Sequence, residues 1–114
     1  MNNMKPKIEK AEFGNIIINR VNYGTKDLIV YWDRVEEREK SHFFSKEEFE
    51  KILERKPEIV IVGIGFNKIV NIDPDVEEIA KKQNIKLFVL PTEEACKKFN
   101  ESTGKVVIVI HSTC

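Results

Sequence analysis

Apolar positions repeat with two different periods along this chain, and the change of period divides it in two. Residues 7–33 favour strands. IEKAEF, starting at Ile8, alternates apolar and polar positions as a half-exposed strand does. Gly14-Asn15 is a turn signal, IIINRV follows as a second strand, and Asn22-Tyr23-Gly24 is another turn. DLIVYW, from Asp27 to Trp32, is strongly β-prone and completes a predicted β-meander. Residues 34–41, RVEEREKS, carry both signs of charge with little pattern and read as an exposed ribbon or loop.

The pattern becomes helical after that. Ser45 is a good N-cap with Glu48 three residues on, a capping box, while Phe44 and Phe49 hold the positions of a hydrophobic staple. This helix presents Phe49, Ile52 and Leu53 on one face and stops before Pro57. A second helix starts at Asp73-Pro74, buries Val76, Ile79 and Ala80, and ends with Asn84 in the left-handed conformation. A third is capped by Thr92, turns Ala95, Cys96 and Phe99 inward, and is closed by Gly104.

Three short apolar runs alternate with the last two helices: 58–62, 85–90 and 106–110. Runs of this kind read as strands buried on both faces, as in a parallel sheet. Right-handed crossovers then make residues 58–110 a βαβαβ unit. The first run ends in Gly63-Ile64-Gly65, and ligands in open α/β sheets lie beyond the carboxyl ends of such strands. With all three strands parallel, the Gly63–Asn67 turn, Pro91-Thr92 and His111–Cys114 share one edge. An antiparallel last strand would send the tail to the opposite edge.

At 114 residues the chain is expected to form one domain, with residues 1–6 frayed. Its 19 basic and 19 acidic residues cancel, which argues against nucleic acid or an anionic membrane as the main partner. With no signal peptide or long apolar span read in it, the expected location is the cytoplasm. Two cysteines make no disulfide framework.

The candidate chemistry is sparse. A dinucleotide fingerprint needs a third glycine where Lys68 stands, a helix directly after the turn, and a carboxylate where the next strand ends in Leu90-Pro91. Gly63 and Gly65 therefore read first as a tight turn with close backbone packing. His111 and Cys114 supply at most two ligands where a metal needs three or four, so neither metal nor cofactor is expected. A reactive Cys114 thiol would need a nearby base, such as His111 if the tail folds back, whereas Cys96 reads as an inert core residue. Adjacent helical carboxylates such as Glu47 and Glu48 read as solvated. Trp32 reads as a core or interface aromatic.

IVIVGIGF, KLFVLPTEEACKKFNE and GKVVIVIHSTC occur in that order, with Gly63, Gly65, Thr92, Ala95, Phe99, Asn100 and Lys105 at the marked positions. Together they resemble the small Mth-type domain family, which includes an adipogenesis-associated protein and, more distantly, a mitochondrial complex I assembly factor. Many members carry a tryptophan in the loop before the first helix, where this chain has Phe43 and Phe44. The resemblance implies a three-layer α/β fold around a mixed sheet. It also implies no settled activity, and relatives that act as assembly or regulatory factors.

Two functions from different classes follow. One is a non-enzymatic interaction or assembly module with a protein partner, its surface formed by the N-terminal strands and the Phe43-Phe44 loop. The other is a small-ligand binder or enzyme using Gly63, Gly65, Phe66, Asn67 and Thr92, with Asn100, Lys105 and His111. An exposed edge strand among residues 7–32 would invite pairing, so the chain is a monomer or a homodimer.

Overall fold

The computed structural model describes residues 5–67 and 70–113. The first three strands, β1 (Ile8–Glu12), β2 (Asn15–Ile18) and β3 (Val21–Gly24), form a small antiparallel sheet in the order β1-β2-β3. Then come β4 (Asp27–Val30), β5 (Val35–Arg38), β6 (Phe43–Phe44), α1 (Lys46–Leu53), β7 (Ile59–Gly63) and β8 (Asn71–Ile72). The chain closes with α2 (Pro74–Lys82), β9 (Lys86–Leu90), α3 (Thr92–Glu101) and β10 (Val106–Ile110). The main sheet has five strands in the order β5-β4-β10-β7-β9. β10 runs parallel to β7 and antiparallel to β4, and β7 runs parallel to β9. The sheet is thus mixed, as the family resemblance implies.

β10 shows why the fold has three layers. All five of its residues are buried. Val106, Ile108 and Ile110 face one core, shared with Ile8, Ile16 and Ile18 of the small sheet and with Ala95, Cys96 and Phe99 of α3. Val107 and Val109 face a second core, with Phe49 and Ile52 of α1 and Val76 and Ala80 of α2. Alternate side chains of one strand point to opposite faces, so a run of β-branched residues needs a layer on each side.

The helix signals are largely realised. Ser45 Oγ accepts from the Glu48 N–H at 3.1 Å, and the rings of Phe44 and Phe49 meet edge-on at 6.1 Å. Asp73 caps α2 through the Asp75 N–H at 3.0 Å, and Asn84 has φ +58°. Glu48 completes only half of its capping box, because its carboxylate pairs with Arg38 instead.

Three expectations need correction. The hairpin after β2 turns at Asn19 and Arg20, both left-handed, so Val21–Gly24 is a strand and not a turn. DLIV leaves the small sheet and becomes β4, because Leu28 and Val30 face one core while Ile29 packs on the other. Val35–Arg38, within the stretch read as an exposed ribbon or loop, pairs with β4 as an edge strand and buries the Arg38 side chain. Lys5 and Pro6 are held as well: Pro6 is buried, and Lys5 Nζ lies 4.7 Å from the centre of the Phe99 ring. The remainder of the expected frayed start lies outside the described residues.

Candidate functional site

β10 is parallel to β7 and β9, so the sheet brings Gly63, Pro91-Thr92 and His111 to one edge, as the parallel reading expects. β4 begins and β5 ends at this same edge. Leu28 pairs with Ile110 and Asp27 pairs with Arg38. Five strands therefore deliver Gly63, Asp27, Arg38, His111 and the residues after Leu90 to one place.

The groups meeting there are charged and buried. The Arg38 side chain is 4% exposed and that of Asp27 is 1% exposed. Arg38 donates through Nε and Nη2 to the two Glu48 oxygens at 2.6 and 2.7 Å, a bidentate pair. Its Nη1 reaches Asp27 Oδ2 at 3.3 Å and His111 Nε2 at 2.8 Å. Since guanidinium only donates, His111 Nε2 accepts, and Nδ1–H donates to the Gly63 carbonyl. Asp27 Oδ1 accepts from Lys40 Nζ at 3.2 Å and from the Ser112 N–H at 3.1 Å. Burial, and after it the Arg38 charge, hold the His111 imidazole below its usual basicity. It is a neutral ring inside a network of two acids and two bases.

Thr92 occupies the next layer. It was expected to cap α3, but Pro91 is the cap and Thr92 is the first helical residue. Its hydroxyl turns inward, donating to the His111 carbonyl at 3.1 Å and accepting from the Gly65 N–H at 2.9 Å. A hydroxyl both donates and accepts, so one small side chain serves a carbonyl and an amide left open at the strand ends. Gly63 lies beneath it. A Cβ there would stand 3.1 Å from the Val109 carbonyl oxygen and 3.2 Å from Thr92 Oγ1. Close packing is thus what requires this glycine.

The other candidates divide. Phe66 packs against the first core and meets Phe13 edge-on at 6.1 Å, while Asn67 is exposed. Asn100 is not at the edge. It ties α3 to β1, accepting from the Ile8 N–H at 3.0 Å and donating to the Ile8 carbonyl at 2.8 Å. Lys105 precedes β10 at the opposite end of the sheet, 6.0 Å from the Trp32 ring centre. Cys96 is buried, and burial pushes its thiol up to about 12. Lys68 and Cys114 lie outside the described residues.

Residue patterns missed Asp27, Arg38, Lys40 and Glu48. The signal was an acid opening the apolar run DLIV and a basic residue that antiparallel pairing sets opposite it. Beside Arg38 and Glu48 opens a cleft of about 450 Å³ lined also by Lys40, Ser41, Phe43 and Ser45. Among the described residues, no buried side-chain nitrogen or oxygen lacks a partner. No group of three or more His, Cys, Asp or Glu among them is placed to hold a metal ion. No helix among them is long and apolar enough to cross a membrane.

The family described as protein of unknown function (DUF498/DUF598) matches residues 8–111 of this chain. Among solved structures, the conserved hypothetical protein PH1505 from Pyrococcus horikoshii OT3 is similar at 28% identity with a TM-score of 0.83, covering 95% of this chain and 99% of its own. A protein designated MT938 is similar at 30% identity with a TM-score of 0.78, covering 96% of this chain and 99% of its own. An outer membrane protein from Bartonella henselae shares the fold at 13% identity, with a TM-score of 0.80 and all of both chains covered.

Proposed function

This chain belongs to the DUF498/DUF598 family of unknown function, and we propose that it is a cytoplasmic, non-enzymatic interaction or assembly module. The Mth-type resemblance of residues 58–114 supports the same reading, since it implies assembly or regulatory relatives.

One observation carries the proposal. Phe13, at the β1–β2 turn, is 57% exposed. Its ring sits edge-on against Phe66, and the adjacent Gly14 N–H donates to the Ser112 carbonyl at 2.7 Å. A large aromatic ring exposed at a turn and already seated against a neighbour offers apolar area for docking, and aromatic rings are typical anchors of protein interfaces. Meanwhile the convergent strand ends close by spend their polar groups on one another.

The test is affinity capture from source cells at native expression, with wild type beside Phe13→Ser. A partner retained by wild type and lost by the variant is the expected result. Recovery of no partner, or of the same partner by both proteins, overturns the reading.

A small-ligand function has one observation in its favour, the cleft beside the Arg38–Glu48 pair. Its volume, about 450 Å³, is that of an ordinary ligand pocket. A thermal-shift screen of small polar metabolites tests it. A shift that Ser41→Trp abolishes supports it, and a flat screen counts against it.

A further inference from the structure

The two edges of the main sheet are built differently. β5 is closed by charge. Its Glu36 pairs with Arg34 at 2.6 Å and its Glu37 with Lys26 at 2.9 Å, which is how natural sheets discourage further pairing. β9 is guarded only at its ends, by Lys86 and by Pro91 just after it, with Lys98 over Phe88 at 4.4 Å. After Lys86 it reads Leu87-Phe88-Val89-Leu90, without acid or proline, and Val89 is 44% exposed.

We propose that β9 pairs antiparallel with β9 of a second copy of this chain. The backbone phase fits. The Lys86 N–H bonds the Glu58 carbonyl and the Leu90 carbonyl accepts from the Ile64 N–H, so even-numbered residues bond inward to β7. In a parallel pair the intervening residues, Leu87 and Val89, direct N–H and C=O to the open side. A two-fold axis at Phe88 then sets Leu87 of each copy opposite Val89 of the other, in the hydrogen-bonded positions.

The side chains fit the same axis. Leu87 and Val89 form one wall of a cleft of about 420 Å³ whose other wall is Ala80, Lys81 and Glu77 of α2. The second copy's Leu87 and Val89 enter that space, meeting Leu87 and Val89 on one wall and Ala80 and the Lys81 stem on the other. The two Lys86 backbone positions lie about 13 Å apart, four strand residues along the strands, beyond a Debye length of about 8 Å at physiological salt. Lys98, whose Nζ lies 4.4 Å from the Phe88 ring centre, is the cation nearest the axis, so the dimer is expected to tighten with added salt.

The occupant is a second copy for two reasons. The edge is self-complementary about Phe88. The opposite edge is closed, so the pairing stops at two chains and forms no filament. An edge about 17 Å long lies at the small end of specific interfaces, so a weak, concentration-dependent dimer is expected.

Sedimentation velocity across about 5 to 500 μM, the span appropriate to so small an interface, tests this with wild type, Val89→Lys and Val21→Lys. Val21 is the control, an apolar strand residue that is 50% exposed on the small sheet. Wild type and Val21→Lys are expected to shift from monomer to dimer together. Val89→Lys is expected to weaken association at least tenfold while melting like wild type. Amide exchange at Leu87 and Val89 should slow with concentration in wild type and in Val21→Lys, and stay unchanged at Leu87 in Val89→Lys. A wild type that sediments as a monomer throughout, or a Val89→Lys protein that associates like wild type, overturns the proposal. Phe13→Ser leaves this dimer intact, so failure here and failure of partner capture are separate results.

Discussion

Replacing Arg38 with methionine is the sharpest probe of the buried network. The variant keeps the apolar stem of the side chain and deletes the guanidinium. Four partner atoms lose a donor: both Glu48 oxygens, Asp27 Oδ2 and His111 Nε2. Glu48 is 23% exposed on its side chain and recovers by hydration. Asp27, at 1%, retains Lys40 and the Ser112 amide on its other oxygen. Two buried acceptors therefore stay open, at about 1–3 kcal/mol each. Breaking one side of a buried ion pair costs about 3–5 kcal/mol, and that is the expected loss. For a domain of this size it lowers the melting temperature by roughly 12–20 °C. Urea unfolding followed by Trp32 fluorescence measures it, with Lys81→Met as the control. Lys81 pairs with Glu77 at 3.5 Å, but both side chains are more than 70% exposed, so that loss stays under about 0.5 kcal/mol. An Arg38→Met protein that loses less than about 1 kcal/mol, with an unchanged m-value, would refute the reasoning. Water would then be shown to replace the guanidinium at little cost.

Two further outcomes follow from the same edge. The folded chain holds His111 below its ordinary value of 6.5, so on acidification the unfolded chain takes up a proton first. Stability is full above that value and falls as pH drops toward the folded one, with a slope of at most about 1.4 kcal/mol per unit. Urea midpoints for His111→Asn should lack this slope; an identical slope in both proteins would refute it. Thr92→Val should cost about 1–3 kcal/mol by leaving the Gly65 N–H and His111 carbonyl unpaired, with Thr92→Ser restoring much of the loss. Equal melting of all three proteins would show that the hydroxyl is dispensable.

Local rules reached far into this fold. The Ser45 and Asp73 caps, the Phe44–Phe49 staple and the left-handed Asn84 each depend on residues within a few positions of one another. The shared edge of Gly63, Thr92 and His111 was legible because three apolar runs alternate with helices. Arg38 was not. In RVEEREKS it looks like any surface charge, and it is buried only because β4 sets it opposite Asp27 while α1 brings Glu48 over it. Thr92 misled for a similar reason. Its position suits a cap, but the open groups of Gly65 and His111 compete for the hydroxyl and win it. The ring of polar contacts is a product of strand register, which no short window of sequence contains.

The place of β10 also governs how the chain can fold. β4 and β5 form a local hairpin, and β7 and β9 pair across one helix, yet neither pair touches the other without β10 between them. β10 meets β4 across nearly the whole chain, Ile110 against Leu28. Such non-local closure is slow, since loop entropy is spent before any contact offsets it. A nascent chain therefore carries two half-sheets with open apolar edges until residues 106–110 are made. Exposed apolar strand edges of that kind are what make incomplete chains prone to aggregate, so slowing the synthesis of the last strand is expected to lower the soluble yield without changing the melting temperature of the finished chain.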